Sequence, residues 1–536
     1  MTSVIFDPLE EFENKYRDKH AEITNHFFEK LVKESGIDIE NNRETVRLYN
    51  DYKLNLVKLK RKLNWWRFLR VMMCVSIVLI PIVILKTTPR IRALRDQIEE
   101  ADKRADELLA EATNQMLPLN KLFTDKDALN IIESTVPLLS FEDCFSVTQE
   151  TDMTINYDFG EYNTDDQSTI DVLAGYYNEN PFLFENKRIH TMGMETYHGY
   201  KTIYWTETYR DTDGKIKSRT KSQTLHATVT KPKAFYSTQV ELTYCSQGGP
   251  DLSFSRDASH LDKISEKEIH RIIKRGEKRL NRKTDKAISQ NTDFVSMSNS
   301  NFEVLFDALD RTNEVQFRTL FTPLAQTNMV SLILSKAGFG DDFHFIKRKR
   351  TNRIISKHSQ RRALNLLPGN YVSYAYDIIK ENFINKNVEF FKAVYFDFAP
   401  LLAIPIYQER PVHSLKPIPD STQLYSLKES EVLANLLDRK CVVHPDTKTE
   451  AILKSTFVES KEAVDETCII AYSYDIKKRV DIVSVRGNDG RYHNVPVEWD
   501  EYIPLKACNN FYVSTNEIAK NKVVKARHND LCIFSS

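Results

Sequence analysis

Up to residue 66 the apolar positions recur at helical spacing. One helix is predicted from Pro8 to Glu34, stopping at Ser35-Gly36. A second starts near Glu44, with Val46, Tyr49, Leu56, Leu59 and Leu63 as its apolar positions. The pattern then gives way to VMMCVSIVLIPIVIL, Val71 to Leu85, which carries no charge. At about 1.5 Å per residue this run spans roughly 22 Å, short of the roughly 30 Å hydrocarbon core of a bilayer. Its flanks make up the difference. Trp65, Trp66 and Phe68 suit an interface, Arg67, Arg70 and Lys86 can snorkel, and Thr87 and Thr88 extend the far end. A kink at Pro81 is tolerable there. The expectation is one transmembrane helix over 67–88; the alternatives are a shallow interfacial insertion and, against the basic and aromatic flanks, a buried core helix. Six Lys or Arg residues lie in the 15 positions before the run and four in the 15 after it. That difference puts the N-terminus of a single-pass cell-membrane protein inside.

Beyond the run, Pro89 suits a first helical position. Ile91, Leu94, Ile98, Ala101, Ala105, Leu108 and Ala112 then alternate by three and four, a heptad seam. It predicts an amphipathic juxtamembrane helix over 89–120. The seam either self-associates as a coiled coil through 91–112 or packs on its own chain.

From about residue 140 strands take over. Tyr200–Tyr209 and Lys215–Thr230 flank the turn signal Asp211-Thr212-Asp213-Gly214. A four-residue loop would pair Tyr209 with Ile216, Trp205 with Thr220 and Ile203 with Ser222. Thr208, Thr206 and Tyr204 would then share a wet face with Lys217, Arg219 and Lys221. A basic helix is predicted from Ser265 to Ile288, with Ser265 and Glu268 as a capping box. Val394–Tyr407 is very apolar, but Asp397, Pro400 and Pro405 point to a strand entering a buried loop rather than a second membrane helix. Pro411, Pro417 and Pro419 mark a linker. A short helix (Glu429–Leu437) and a hairpin at Asn488-Asp489-Gly490 follow. The fold class is therefore α+β. Its expected parts are a helical tail (1–66), the transmembrane helix (67–88), the juxtamembrane helix (89–120), an α+β domain (121–407), a linker (408–426) and a β-rich C-terminal domain (427–536).

Composition adjusts this picture only in places. The 75 Lys and Arg balance 75 Asp and Glu, which excludes a globally basic nucleic-acid binder, and 536 residues suit three or four folding units. The N-terminus is acidic, with no apolar h-region of a signal peptide. Seven cysteines lie far apart with no CxxC, unlike a disulfide framework; Cys441 and His444 form a lone CxxH, best read as a bystander. No nucleotide-binding, hydrolase or zinc-protease signature occurs, and 14 glycines leave little for a phosphate cradle. Asp341, Asp342 and His344 could ligate a metal or exchange protons, though a solvated turn between strands explains them better. Asp397 in its apolar run could be a carboxylate of raised pKa, and His226 is a further candidate. Positive charge is the strongest nonrandom feature. Lys347, Arg348, Lys349, Arg350, Arg353, Lys357, Arg361 and Arg362 fall in an acid-free stretch. With the helix at 263–286 and Lys217, Arg219 and Lys221, they make a candidate polyanion site for anionic lipid or nucleic acid.

Asn301 to Lys336, with Leu320-Phe321-Thr322-Pro323 at its centre, resembles a stretch of an uncharacterised family of bacterial membrane-anchored proteins. The resemblance implies a strand, a charged turn, an LxTP element and an amphipathic helix, and transfers no functional residue. The expected function is a membrane-anchored interaction or scaffold protein without catalysis or cofactor. Its expected partners are the bilayer through 67–88, a second copy through 91–112, and a polyanion. The alternatives are polyanion binding as the main role, and an enzyme with an unrecognised active site.

Overall fold

The computed structural model describes residues 5–74, 80–160, 166–210, 212–259, 261–290, 294–411, 416–418, 425–461, 464–514 and 532–535. In chain order these form α1 (Pro8–Glu11), α2 (Arg17–Ser35), α3 (Ile39–Cys74), α4 (Ile80–Asn120), α5 (Asp127–Thr135), β1 (Leu139–Phe141), α6 (Val147–Tyr157), β2 (Gln167–Tyr177), β3 (Asn180–Arg210), β4 (Ile216–Cys245) and β5 (Ser253–Arg256). There follow α7 (Glu266–Gln290), α8 (Ser300–Phe306), α9 (Glu314–Leu320), α10 (Pro323–Leu334), β6 (Phe343–Arg348), β7 (Thr351–Ser356), α11 (Tyr376–Leu402), α12 (Leu427–Leu436), α13 (Arg439–Val442), β8 (Ile452–Lys461), β9 (Val464–Arg486), β10 (Tyr492–Ser514) and β11 (Cys532–Ser535). The α+β class holds. The chain divides into two compact units, one of 1–9, 140–364 and 396–536 and the other of 10–139 and 365–395.

The 10–139/365–395 unit is helical. α2 ends where Gly36 takes φ +62°, the left-handed C-cap that the Ser35-Gly36 stop predicts. α3 and α4 then pair as an antiparallel hairpin: Lys60 meets Asp102, and Asn42 donates to Gln115. Leu56, Ala101 and Ala105 are buried together, with Tyr49, Leu59 and Ile98 packed against them. The seam on α4 thus faces α3 of the same chain. Phe28, Met116, Leu119, Phe123, Ile131, Tyr371, Ile379 and Phe383 close the core. Phe383 sits at its centre, with ring centroids 5.4 Å from Phe28, 5.5 Å from Phe123 and 4.8 Å from Tyr371.

The expected transmembrane helix over 67–88 is not found. Among the described residues no helix is long and apolar enough to cross a membrane. Of the apolar run, Val71–Cys74 lie in α3 and Ile80–Leu85 in α4, while 75–79 lie outside the described residues. Each described piece belongs to a long helix whose remainder is charged, RKLNWWRFLR before it and KTTPRIRALRD after it. The single-pass membrane assignment falls with it. Pro89 lies inside α4 rather than at its start.

The other unit holds two antiparallel sheets. The larger has strand order β1-β2-β3-β4-β7-β6-β5 and the smaller β11-β10-β9-β8. β3 and β4 run on as a ribbon whose inner face, Ile203, Leu225 and Ala227, packs on Val495 and Val497 of the β9–β10 ribbon. Gly199 allows the approach, since a Cβ there would stand 2.2 Å from the Pro496 carbonyl oxygen. The ribbon exists, but one residue out of the expected register: Arg210 pairs with Ile216, Trp205 with Lys221 and Ile203 with Gln223. A one-residue slip exchanges the faces of a strand. Lys221 and Arg219 therefore share a face with Glu207, to which both bind. Val394–Tyr407 is not a strand either. α11 continues to Leu402, and residues 393–402 are buried all round, as in a helix that runs through a core. The strand expected in 301–336 is likewise absent: the segment is α8, α9 and α10, with Thr322 capping α10 and Pro323 at its first position.

Candidate functional site: a charged pocket

A cavity of about 290 Å³ opens among α6, β2, β3, β4, β7, α12 and β8. Local structure places each of its side chains. Ser146 caps α6, its Oγ accepting from Gln149 N at 3.1 Å, and presents Glu150 in the first turn. Ser426 caps α12 in the same way, which sets Lys428 and Glu431 three residues apart on one helix face. Strand alternation puts Glu185 and Lys187 of β3 on one side, as it does Glu241 and Thr243 of β4.

The ladder places Glu185 directly opposite Glu241. Two buried carboxylates in that relation repel, so cations must lie between them. Lys187 Nζ reaches Glu241 at 3.0 Å and Glu185 at 3.2 Å. Arg353 of β7 grips Glu241 with two nitrogens, Nε at 2.6 Å. Lys428 binds Glu185. Burial works to raise the carboxyl of Glu241, but Lys187 and Arg353 outweigh it and hold the group far below the usual carboxylate range. Glu185 is lowered in the same way by Lys187 and Lys428.

Two further carboxylates behave oppositely. Burial raises the pKa of Glu150, offset only in part by Lys428, and burial raises that of Glu431, offset in part by Lys454. Glu431 accepts from Thr169 N at 2.8 Å and lies 3.8 Å from Lys454. Glu150 accepts from Leu427 N at 3.3 Å and, among the described residues, has no salt bridge. Carboxylates with pKa values driven apart in one cavity are an arrangement suited to binding or exchanging charge.

The residues singled out from sequence are not gathered here. Asp341 is buried against Arg256 and accepts from Ser259 N at 3.0 Å and Leu261 N at 3.2 Å, a structural role. Asp342 accepts from His358 at 2.8 Å, and the other ring nitrogen of His358 lies 3.4 Å from Asp397. Asp397 also accepts from Ser359 Oγ and Arg362, each at 2.7 Å. His344 instead meets Asp257 at the surface, and His226 pairs with His198 on the exposed ribbon. Cys441 is exposed, and among the described residues no group of three His, Cys, Asp or Glu could hold a metal ion.

The acid-free basic run is equally divided. Lys347 is fully buried and donates to the carbonyls of Gly248 and Lys349, and burial pulls its pKa down to about 7. Arg350 binds Asp158, Arg353 belongs to the pocket, and Arg362 binds Asp397. Arg348 donates to the Lys347 carbonyl, while Lys349, Lys357 and Arg361 are exposed. β-strand alternation across β6 and β7 separates what the sequence runs together. Sequence reading missed Glu150, Glu185, Lys187, Glu241, Lys428 and Glu431. The legible signal was a charge inside an apolar strand, as in PFLFENK and VELTYC.

No family model, no curated protein and no solved structure matches this chain.

Proposed function

We propose that the protein is a noncatalytic binding module whose charged pocket takes a small molecule bearing an ammonium or guanidinium group. The observation that carries this reading is Glu150, a carboxylate of raised pKa that has no salt bridge among the described residues. Glu185 and Glu241 occupy Lys187, Arg353 and Lys428, and Glu431 has Lys454 at 3.8 Å, while Glu150 accepts from the Leu427 N–H. A ligand cation beside Glu150 would supply the partner that the pocket's own cations do not, and in a partly desolvated site such a pair is strong. The volume, about 290 Å³, lies near the low end of the roughly 300–1,000 Å³ usual for ligand cavities, and so suits a molecule of amino-acid or short-polyamine size.

The test is calorimetry on the full chain with lysine, arginine and spermidine, against acetate, succinate and phosphate as controls. Binding by members of the first group, lost in Glu150→Gln, supports the reading. Binding of the anions alone, or of neither group, overturns it.

Polyanion binding keeps one foothold. On α7, Lys274, Arg275, Lys278, Arg282 and Lys286 are all exposed. Affinity for nucleic acid or anionic vesicles that falls steeply with salt and is lost on neutralising these five would favour that second role.

A further inference from the structure

Cys468 on β9 and Cys508 on β10 were unremarkable in sequence, 40 residues apart. The ribbon brings them together. Its register places Cys468 opposite Asn510 and Cys508 opposite Ile470, so the two cysteines are diagonal neighbours. Their Sγ atoms stand 2.7 Å apart. That is well inside the roughly 3.5–4.0 Å at which non-bonded carbons rest, and a short step from the roughly 2.05 Å of an S–S bond. Ile469, Ala471, Phe511 and Val513 face the core of the small sheet. Cys468 and Cys508 alternate with them and lie on the other face, Cys508 exposed and Cys468 partly so.

We propose that Cys468 and Cys508 are a reversible dithiol–disulfide site, oxidised by a hydroperoxide and reduced by a small thiol. The two thiols differ in a way that orders the chemistry. Burial, then the hydrogen bond to Cys508, pushes the Cys468 thiol up to about 11, and Cys508 is the more exposed of the two. Cys508 therefore attacks. Its thiolate displaces one oxygen of the hydroperoxide, becoming a sulfenic acid and releasing water or an alcohol. Cys468 then gives up its proton, its sulfur attacks the Cys508 sulfur, and the S–OH bond breaks to release water. In balance, two thiols lose two electrons and two protons, and the peroxide bond is reduced. Two equivalents of a thiol such as glutathione reverse the step through a mixed disulfide. Exposed disulfides are the more readily reduced, and Cys508 is exposed, which marks this site as labile rather than structural.

The experiment treats the reduced full-length protein with hydrogen peroxide, quenches it, denatures it in a blocking reagent, and maps the cysteines by mass spectrometry. The expected result is one 468–508 crosslink, with free thiols falling from seven to five and returning to seven in glutathione. In Cys468→Ser the sulfenic acid at Cys508 should persist long enough to be trapped by a dimedone probe, and in Cys508→Ser no crosslink should form. Seven thiols surviving in folded protein, a crosslink between other cysteines, or a 468–508 bond that glutathione does not reduce would each overturn the proposal. Circular dichroism of the two serine variants shows that they are folded before their thiols are counted.

Discussion

Arg353 shows what single residues contribute here. Its guanidinium holds Glu241, a carboxylate only 1% exposed. Breaking a buried pair from one side costs about 3–5 kcal/mol when the other charge is stranded, and less here, because Lys187 stays 3.0 Å from Glu241. Arg353→Ala should therefore show a loss below that range in urea unfolding at pH 7. The sign of the pH dependence follows from the lowered Glu241. The stability it contributes is full above the unfolded carboxylate range, near 4.5, and is lost as pH falls further. Arg353→Ala should accordingly be less sensitive to acid than the parent chain. Glu150 runs the other way. Its raised pKa makes the ionised form a cost at neutral pH, so Glu150→Gln is expected to raise the melting temperature while abolishing binding of the cationic ligand. A variant that loses both stability and binding would show Glu150 to be structural. His20 adds a third case. Buried on Phe391, with ring nitrogens at Thr135 and Asn387, it is pushed down to about 4, chiefly by burial. The unfolded chain takes up this proton near pH 6.5, so stability falls from there to about 4, by about 3 kcal/mol in all. NMR of the His20 ring should show it neutral at pH 5.

At the level of elements, the ribbons depend on close approach. Gly199→Val should separate β3–β4 from β9–β10, because the obstacle is the Pro496 backbone rather than a movable side chain. A loss of about 1–3 kcal/mol is expected, with faster hydrogen exchange at Val495 and Val497. This level also shows how far the sequence could be read. The Gly36 stop, the α7 helix and the hairpin near Gly490 are local signals and were legible. The β3–β4 register was not, since a difference of one loop residue exchanges every face beyond it. The apolar run misled because its flanks suit a bilayer, yet its described residues belong to long helices that are otherwise charged. The seam of Ile91, Ala101, Ala105 and Ala112 was legible, and small residues favour close packing. Its partner turned out to be α3.

At the scale of the whole molecule, the pocket draws on segments from Glu150 to Ser455, and no spacing rule links them. That is why motifs were silent about it: its chemistry exists only after the sheet has formed. The helical unit is also discontinuous, since Tyr371, Tyr376, Ile379 and Phe383 complete a core begun by Phe28 and Met116. A fragment of residues 10–139 alone should lack cooperative thermal unfolding, and a peptide of 365–395 added in trans should restore it. Cooperative melting of the fragment alone would show that this core is dispensable. In the full chain, Phe383→Ala should cost about 3–5 kcal/mol by urea titration.

That discontinuity has a consequence for the order of synthesis. Residues 10–139 leave the ribosome well before 365–395, and at roughly 5–20 residues per second the wait is on the order of ten seconds to a minute. Through that interval Phe28, Leu31, Phe123 and Ile131 have no Phe383 to close over them. Ile5 of the other unit waits longer still, for it is held by Gln408. The nascent chain is thus expected to depend on a holding chaperone by virtue of its connectivity. Depleting such a chaperone should lower the yield of this protein more than that of a circular permutant in which 365–395 precedes residue 10.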